Sequence, residues 1–255
     1  MKDIVLNERA KAEELLAGTA KIEDIKVAIS LLVRYDVQVN HMNADFVREH
    51  VRQAIYGLYP KVARSKIDHL IDYYIKNAEK YPLSAIDGVS ITQKELDIVL
   101  GRDGIRAQCL TFALLALAKC DTIRCPDVKY WYSGKRWNEL MSRANLCLNE
   151  DDMCTILHYL YKDGYIGFAE RIDNCSMQVL FADETGEPVM VLLDSDFRDL
   201  GYCLRAHVGQ RYTRCEECDR WIKQTKNGRR RYCDDCAAVN HRNASLRNYH
   251  KTKIS

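Results

Sequence analysis

The sequence predicts a mainly α-helical protein with one small β-hairpin and a compact four-cysteine module at its carboxyl end. Three observations carry that expectation. Apolar residues recur at helical spacing from residue 8 to about residue 160. Two short apolar stretches, "YIGFAERID" and "SMQVLFAD", then follow each other like the arms of a hairpin. Finally, Cys215 pairs with Cys218 and Cys233 with Cys236 in two C-x-x-C motifs.

Residues 8–35 read as one or two amphipathic helices. The pattern continues over 44–58 through Val47, Val51 and Ile55, and over 61–80 through Ile67, Leu70, Ile71 and Tyr74. "YPLSAIDGVS" (81–90) is the first clear break, so residues 1–85 form a helical amino-terminal region. Thr92 and Glu95 have the spacing of a capping box and start the next helix. Residues 105–120 are apolar nearly all round and predict a central buried helix. "GKRWNELMSRANL" gives a short helix, and Asn149 caps "EDDMCTILHYLYKDG", whose Glu150, Asp151 and Asp152 favour the positive end of the helix dipole. The hairpin arms join at Asn174 and Cys175. "EPVMVLLDSDFRDLGYCLRAHVGQ" supplies a strand and a helical connector.

Net charge over 255 residues is +2, unevenly placed. Residues 211–255 hold twelve Lys or Arg against five Asp or Glu, a net of +7. The first 210 hold 26 against 31, a net of −5. A basic tail on an acidic body suits a polyanion-binding appendage. The longest apolar stretch, "CLTFALLALAKC", is too short to span a bilayer. The amino terminus has no apolar signal core, which predicts a cytoplasmic protein. Eleven cysteines, an odd number, fit a reducing compartment and a metal site better than a disulfide framework. Phosphate-loop, dinucleotide-binding and nucleophile-elbow motifs are absent from the sequence, so a non-enzyme is expected.

Two-residue spacing turns both thiolates of a pair toward one ion, and two pairs complete a tetrahedral zinc shell. Cys215, Cys218, Cys233 and Cys236 are therefore expected to hold one structural Zn²⁺, with no open position for chemistry. His241, five residues on, is not needed as a ligand. With Trp221, "TKNGRRRYC" and "AAVNHRNASLRNYHK", this segment resembles the small treble-clef or ribbon-like zinc knuckles at the ends of bacterial and phage proteins. It is also similar to the CGNR-type zinc finger, with "CAAVNHR" where that motif has Gly-Asn-Arg after the last cysteine. The resemblance covers about forty residues, within a module at 211–255, and implies nucleic-acid binding, to DNA or RNA.

Asn227-Gly228 signals a turn, so Arg229, Arg230 and Arg231 are expected on a strand heading for Cys233, with Arg229 and Arg231 on one face. In the helix beyond, the 3.6 period puts Asn240, Arg247 and Lys251 on one stripe, and Val239, Leu246 and Tyr249 on another that can pack on the knuckle. Arg229, Arg230, Arg231, Lys226, Asn240, Arg242, Arg247 and Lys251 are the expected nucleic-acid contacts. Because the body has apolar helices of its own, the module is expected to fold and unfold separately.

Residues 92–183, helices followed by a hairpin, resemble a winged helix-turn-helix, placing a winged-helix-like domain at 90–205. The helix before the wing begins "NEDDM", whose carboxylates argue against ordinary major-groove readout, while Lys135, Arg136, Arg143 and Arg171 could touch phosphates. A docking or dimerisation role for this unit is an equal alternative. The leading expectation is a zinc-dependent nucleic-acid-binding protein, a regulatory or replication-associated factor of a bacterium, phage or mobile element. Its rival is a protein-interaction factor, such as a phage inhibitor (anti-CRISPR-like), docking on host nucleic-acid machinery through the acidic body. Asp194, Asp196 and Asp199 have Mg²⁺-type oxygens but read as a solvated helix cap. Cys109, Cys120 and Cys154 read as small core residues, and His69 and His158 as packed ones.

Overall fold

A computed structural model describes residues 4–20, 22, 24–124, 127, 129–169, 176–226 and 230–254, with the side chains of all of these except Arg64 and 246–254. The chain divides into two compact units, Met1–Gly88 and Val89–Ser255. It is mainly helical, with small antiparallel sheets.

The first unit holds α1 (Glu8–Leu16), α2 (Ile25–Gln38), α3 (Ala44–Leu58) and α4 (Arg64–Asn77), closed by a 3₁₀ turn, Ala78–Lys80. Residues 8–35 thus form two helices, with Gly18 at φ +68 where α1 ends. Side-chain oxygens of Asn7, Asp24 and Asn43 cap the first three helices. Val47, Val51, Ile55, Ile67 and Ile71 pack on Ile29, Leu31, Leu32 and Val33 of α2. Across α3 and α4, Arg48 meets Asp72 at 2.6 Å and Arg52 meets Asp68 at 3.0 Å.

The second unit runs β1 (Val89–Thr92), α5 (Gln93–Leu100), α6 (Gly104–Arg124), β2 (Trp131–Tyr132), α7 (Trp137–Arg143), α8 (Glu150–Lys162), β3 (Ile166–Phe168), β4 (Met177–Val179) and β5 (Pro188–Leu192). A 3₁₀ turn, Asp196–Arg198, leads into α9 (Leu200–His207), then β6 (Tyr212–Arg214), β7 (Trp221–Lys223) and α10 (Asp234–Ile254). Every residue from Cys109 to Cys120 is buried, so α6 is the central helix its composition implies. The Thr92–Glu95 capping box is present, and Asn149 caps α8 through the Asp152 amide. Glu95 is fully buried and also receives Lys119 Nζ at 2.7 Å and the Asp183 amide at 2.7 Å.

The hairpin arms pair antiparallel, Ile166 with Val179 and Phe168 with Met177. Their turn at Asn174 and Cys175 lies outside the described residues. β2 adds beside β4, giving the sheet order β2-β4-β3, and β1 pairs with β5. The start of α9 lies so close to the end of α7 that a Cβ on Gly201 would sit 1.8 Å from the Ala144 carbonyl oxygen. Among the described residues, no helix is long and apolar enough to cross a membrane.

Candidate metal centre

β6 and β7 form a hairpin in which Thr213 faces Ile222 and Arg214 faces Trp221. Cys215 and Cys218 lie in its turn, which Asp219 closes at φ +58. Cys233 immediately precedes α10 and Cys236 lies in its first turn. All four ligand atoms fall within 4.8 Å of one another, so the quartet could hold a metal ion. Ile222 packs against Cys215 and Cys233 beneath it. Burial pushes the Cys215 thiol up, but the amides of Cys233, Glu217 and Cys218 outweigh this and bring it to about 6. Burial raises Cys218 and Cys236, and the Cys215 and Cys233 thiols push both further, while Cys236 and the Arg220 amide draw Cys218 partly back. Four sulfurs this close resist ionising together, and a central cation reverses that resistance. His241 is exposed and outside the cluster.

The other face of the ribbon meets the rest of its unit. Arg214 stacks over the Trp221 ring at 4.4 Å, and Tyr212 lies 4.9 Å from Tyr202 of α9. Arg214 Nη2 and Trp221 Nε1 both donate to Asp196 Oδ1, each at 2.7 Å. Arg220 Nε donates to Asp199 Oδ2 at 2.6 Å. Asp196 and Asp199 are each only 1% exposed. The expected solvated cap at "DSDFRD" is therefore corrected: two of its three aspartates are buried anchors for the four-cysteine module. Arg214, Arg220 and Trp221 were not singled out as docking residues from the sequence. Their only signal was two cations and an indole placed around the first cysteine pair.

No family model, curated protein or solved structure matches this chain.

The basic loop differs from expectation. Arg230 and Arg231 are not on a strand; Gln224 holds that irregular segment through Arg230 N at 2.9 Å and Arg230 O at 2.8 Å. The side-chain amide of Gln224 takes the place of a partner strand here. Arg231 makes a paired contact with Glu216 at 2.7 and 2.6 Å, and Arg230 is bridged to Asp234. Asn227, Gly228 and Arg229 lie outside the described residues. Lys226 and Arg242 are exposed and Asn240 is half-buried. Arg247 and Lys251 fall on the α10 backbone, but their side chains, like those of Leu246 and Tyr249, are outside the description. Val239, expected to pack, is 52% exposed, because α10 leaves the module after its first turn.

Arg143, expected as a phosphate contact, is fully buried between Glu139 and the Phe197 carbonyl. Arg136 is bridged to Asp121 and Glu139. Lys135 remains exposed, and Arg171 is outside the described residues. Cys109 and Cys120 are core residues, but Cys154 is exposed, since the buried side of α8 is set by Leu157 and Leu160. His69 and His158 are exposed as well, each on the outer side of its helix. Glu150, Asp151 and Asp152 are exposed at the start of α8.

Proposed function

We propose that this chain is a nucleic-acid-binding protein whose contact element is α10, seated on a zinc ion held by Cys215, Cys218, Cys233 and Cys236. One observation carries the reading. From Cys236 to Ser255 the chain holds Arg242, Arg247, Lys251 and Lys253 with no Asp or Glu, and no described α10 side chain from Cys236 onward is buried. The described part of α10 beyond Cys236 is open to a partner surface, and cations without carboxylates suit phosphates. Two C-x-x-C pairs in thiolate contact favour zinc in a closed, structural site. The ion fixes the first turn of α10, so the helix is presented from a rigid base. Arg231 can still contribute, because its bridge to Glu216 joins two exposed groups, at 64% and 46%, and such pairs cost little to exchange. The sheet order β2-β4-β3 with α6, α7 and α8 supports a winged-helix-like reading of the preceding residues, in keeping with a regulatory or replication-associated factor.

Salt-titrated binding to one duplex and one single strand tests this. Arg247→Ala with Lys251→Ala should flatten the log–log salt slope by about 1.8 on the duplex and about 1.4 on the single strand, with metal content unchanged. A slope equal to wild type on both would refute α10 as the contact. A protein-interaction factor is the second reading, favoured by the three exposed carboxylates that open α8. A partner that stays bound after nuclease treatment, alongside the unchanged slope, would put it first.

A further inference from the structure

We infer that the four-cysteine site is a metal-dependent lock on its whole unit: with metal bound, Arg214, Arg220 and Trp221 are held over the buried carboxylates of Asp196 and Asp199, and metal loss releases α9. This rests on the metal reading of the four cysteines and is independent of nucleic-acid binding.

The β6–β7 ribbon is the shared layer. On one face, Ile222 closes the cysteine cluster; on the other, Tyr212, Arg214 and Trp221 meet α9 and the 3₁₀ turn before it. Each strand has three residues, and a two-stranded ribbon of that length is marginal without support. Its order must therefore come from the metal on one side and the body on the other. Arg214 adjoins Cys215, and Arg220 lies two residues past Cys218, so both guanidinium groups are positioned by the first cysteine pair.

The body depends on those groups in return. Asp196 accepts from Arg214 and Trp221, and through its other oxygen from the Leu193 amide at 2.9 Å. Asp199 accepts from Arg220 and from Asn145 Nδ2 at 2.9 Å. When the ribbon loses its turn, two carboxylates that are 1% exposed lose their counter-charges. An uncompensated buried charge is strongly unfavourable, so the surrounding chain must open to let water in. That chain is the 3₁₀ turn Asp196–Arg198 and α9, whose Leu200, Cys203 and Leu204 are buried and which packs on the central helix α6. On this proposal the tail braces the core, in place of the separate folding expected from the sequence.

Hydrogen exchange on the full chain tests the lock, with the protein metal-loaded and then stripped by chelator under reducing conditions. Stripping should speed exchange across Leu200–His207 on the order of a hundredfold, the scale set by removing one partner of a buried ion pair, while α2 stays unchanged. A metal-loaded Arg214→Ala, Arg220→Ala protein should show the same acceleration with its cysteines intact. Should that variant fail to fold, Trp221→Phe removes the indole N–H together with part of the ring, leaves both arginines in place, and should speed α9 exchange by about tenfold at full metal content. Metal that binds and leaves with α9 unmoved overturns the lock alone. A chain that binds no metal overturns the lock and the reading of the cysteines together. Acceleration spread equally over α2 also overturns it, because the coupling would then be general unfolding.

Discussion

Replacing Glu95 by Gln should cost the second unit more stability than most single changes of comparable size. The wild-type carboxylate is fully buried and accepts the Thr92 amide at 2.8 Å, Lys119 Nζ at 2.7 and 2.9 Å, and the Asp183 amide at 2.7 Å. Glutamine keeps the volume and one carbonyl oxygen but removes the counter-charge. Lys119, whose side chain is 9% exposed, is then left with neutral acceptors alone, the glutamine oxygen and the Asp183 carbonyl at 3.2 Å. Breaking a buried pair from one side costs about 3–5 kcal/mol. For a unit of this size that is a fall in melting temperature of about 6–20 °C. Adding Lys119→Met removes the stranded charge and should recover part of the loss, since the uncompensated ammonium is its largest component. Tryptophan fluorescence isolates the effect, because Trp131, Trp137 and Trp221 all lie in the second unit. Urea melts of wild type, Glu95→Gln and the double variant are the assay. A loss below about 1 kcal/mol, the scale of an ordinary helix cap, would show that Glu95 acts as a cap and no more. A double variant as unstable as the single one would show that the ammonium is not what suffers.

Gly201→Ala should be among the most damaging glycine changes, because its methyl group would have to displace the backbone carbonyl of Ala144. Thermal melts should show a loss of at least about 2 kcal/mol, well beyond ordinary surface substitutions, and a wild-type melt would mean that the two helices part easily. Thiol alkylation at pH 8 should spare Cys120 and Cys203, which burial pushes up to about 11 and about 12, while exposed Cys147 and Cys154 react first. Mass mapping of the labelled peptides checks this, and labelling of Cys120 or Cys203 as fast as Cys147 would count against their burial.

Local rules made much of this molecule legible. The Thr92–Glu95 spacing, the Asn149 cap and the largely apolar run before Cys120 each depend on neighbours a few positions away, and each is realised. The cysteine quartet was legible for the same reason, as ligand geometry is written in its two-residue spacings. What escaped depends on distant partners. β2 is two residues long and exists because β4 lies beside it, 45 or more residues later. Asp196 looked like a surface carboxylate because its partners, Arg214 and Trp221, are 18 and 25 residues away. Arg231 looked free because Glu216 stands on the other side of the metal turn. Charge counts along a chain cannot show which charges are already matched across space.

The two-faced ribbon also restricts how the module's length can vary. Neighbouring residues on a strand point to opposite sides, so one residue inserted between Cys218 and Trp221 would exchange the two faces. Ile222 would then point at Asp196 and the indole at the sulfurs. The two-residue gap from Cys218 to Trp221 is therefore held as tightly as the gap inside either cysteine pair. Insertions and deletions should be tolerated instead between Gln224 and Arg230, the stretch that must only return the chain to Cys233. A family of such modules, aligned by its cysteines, would show a fixed first half and a second half of variable length.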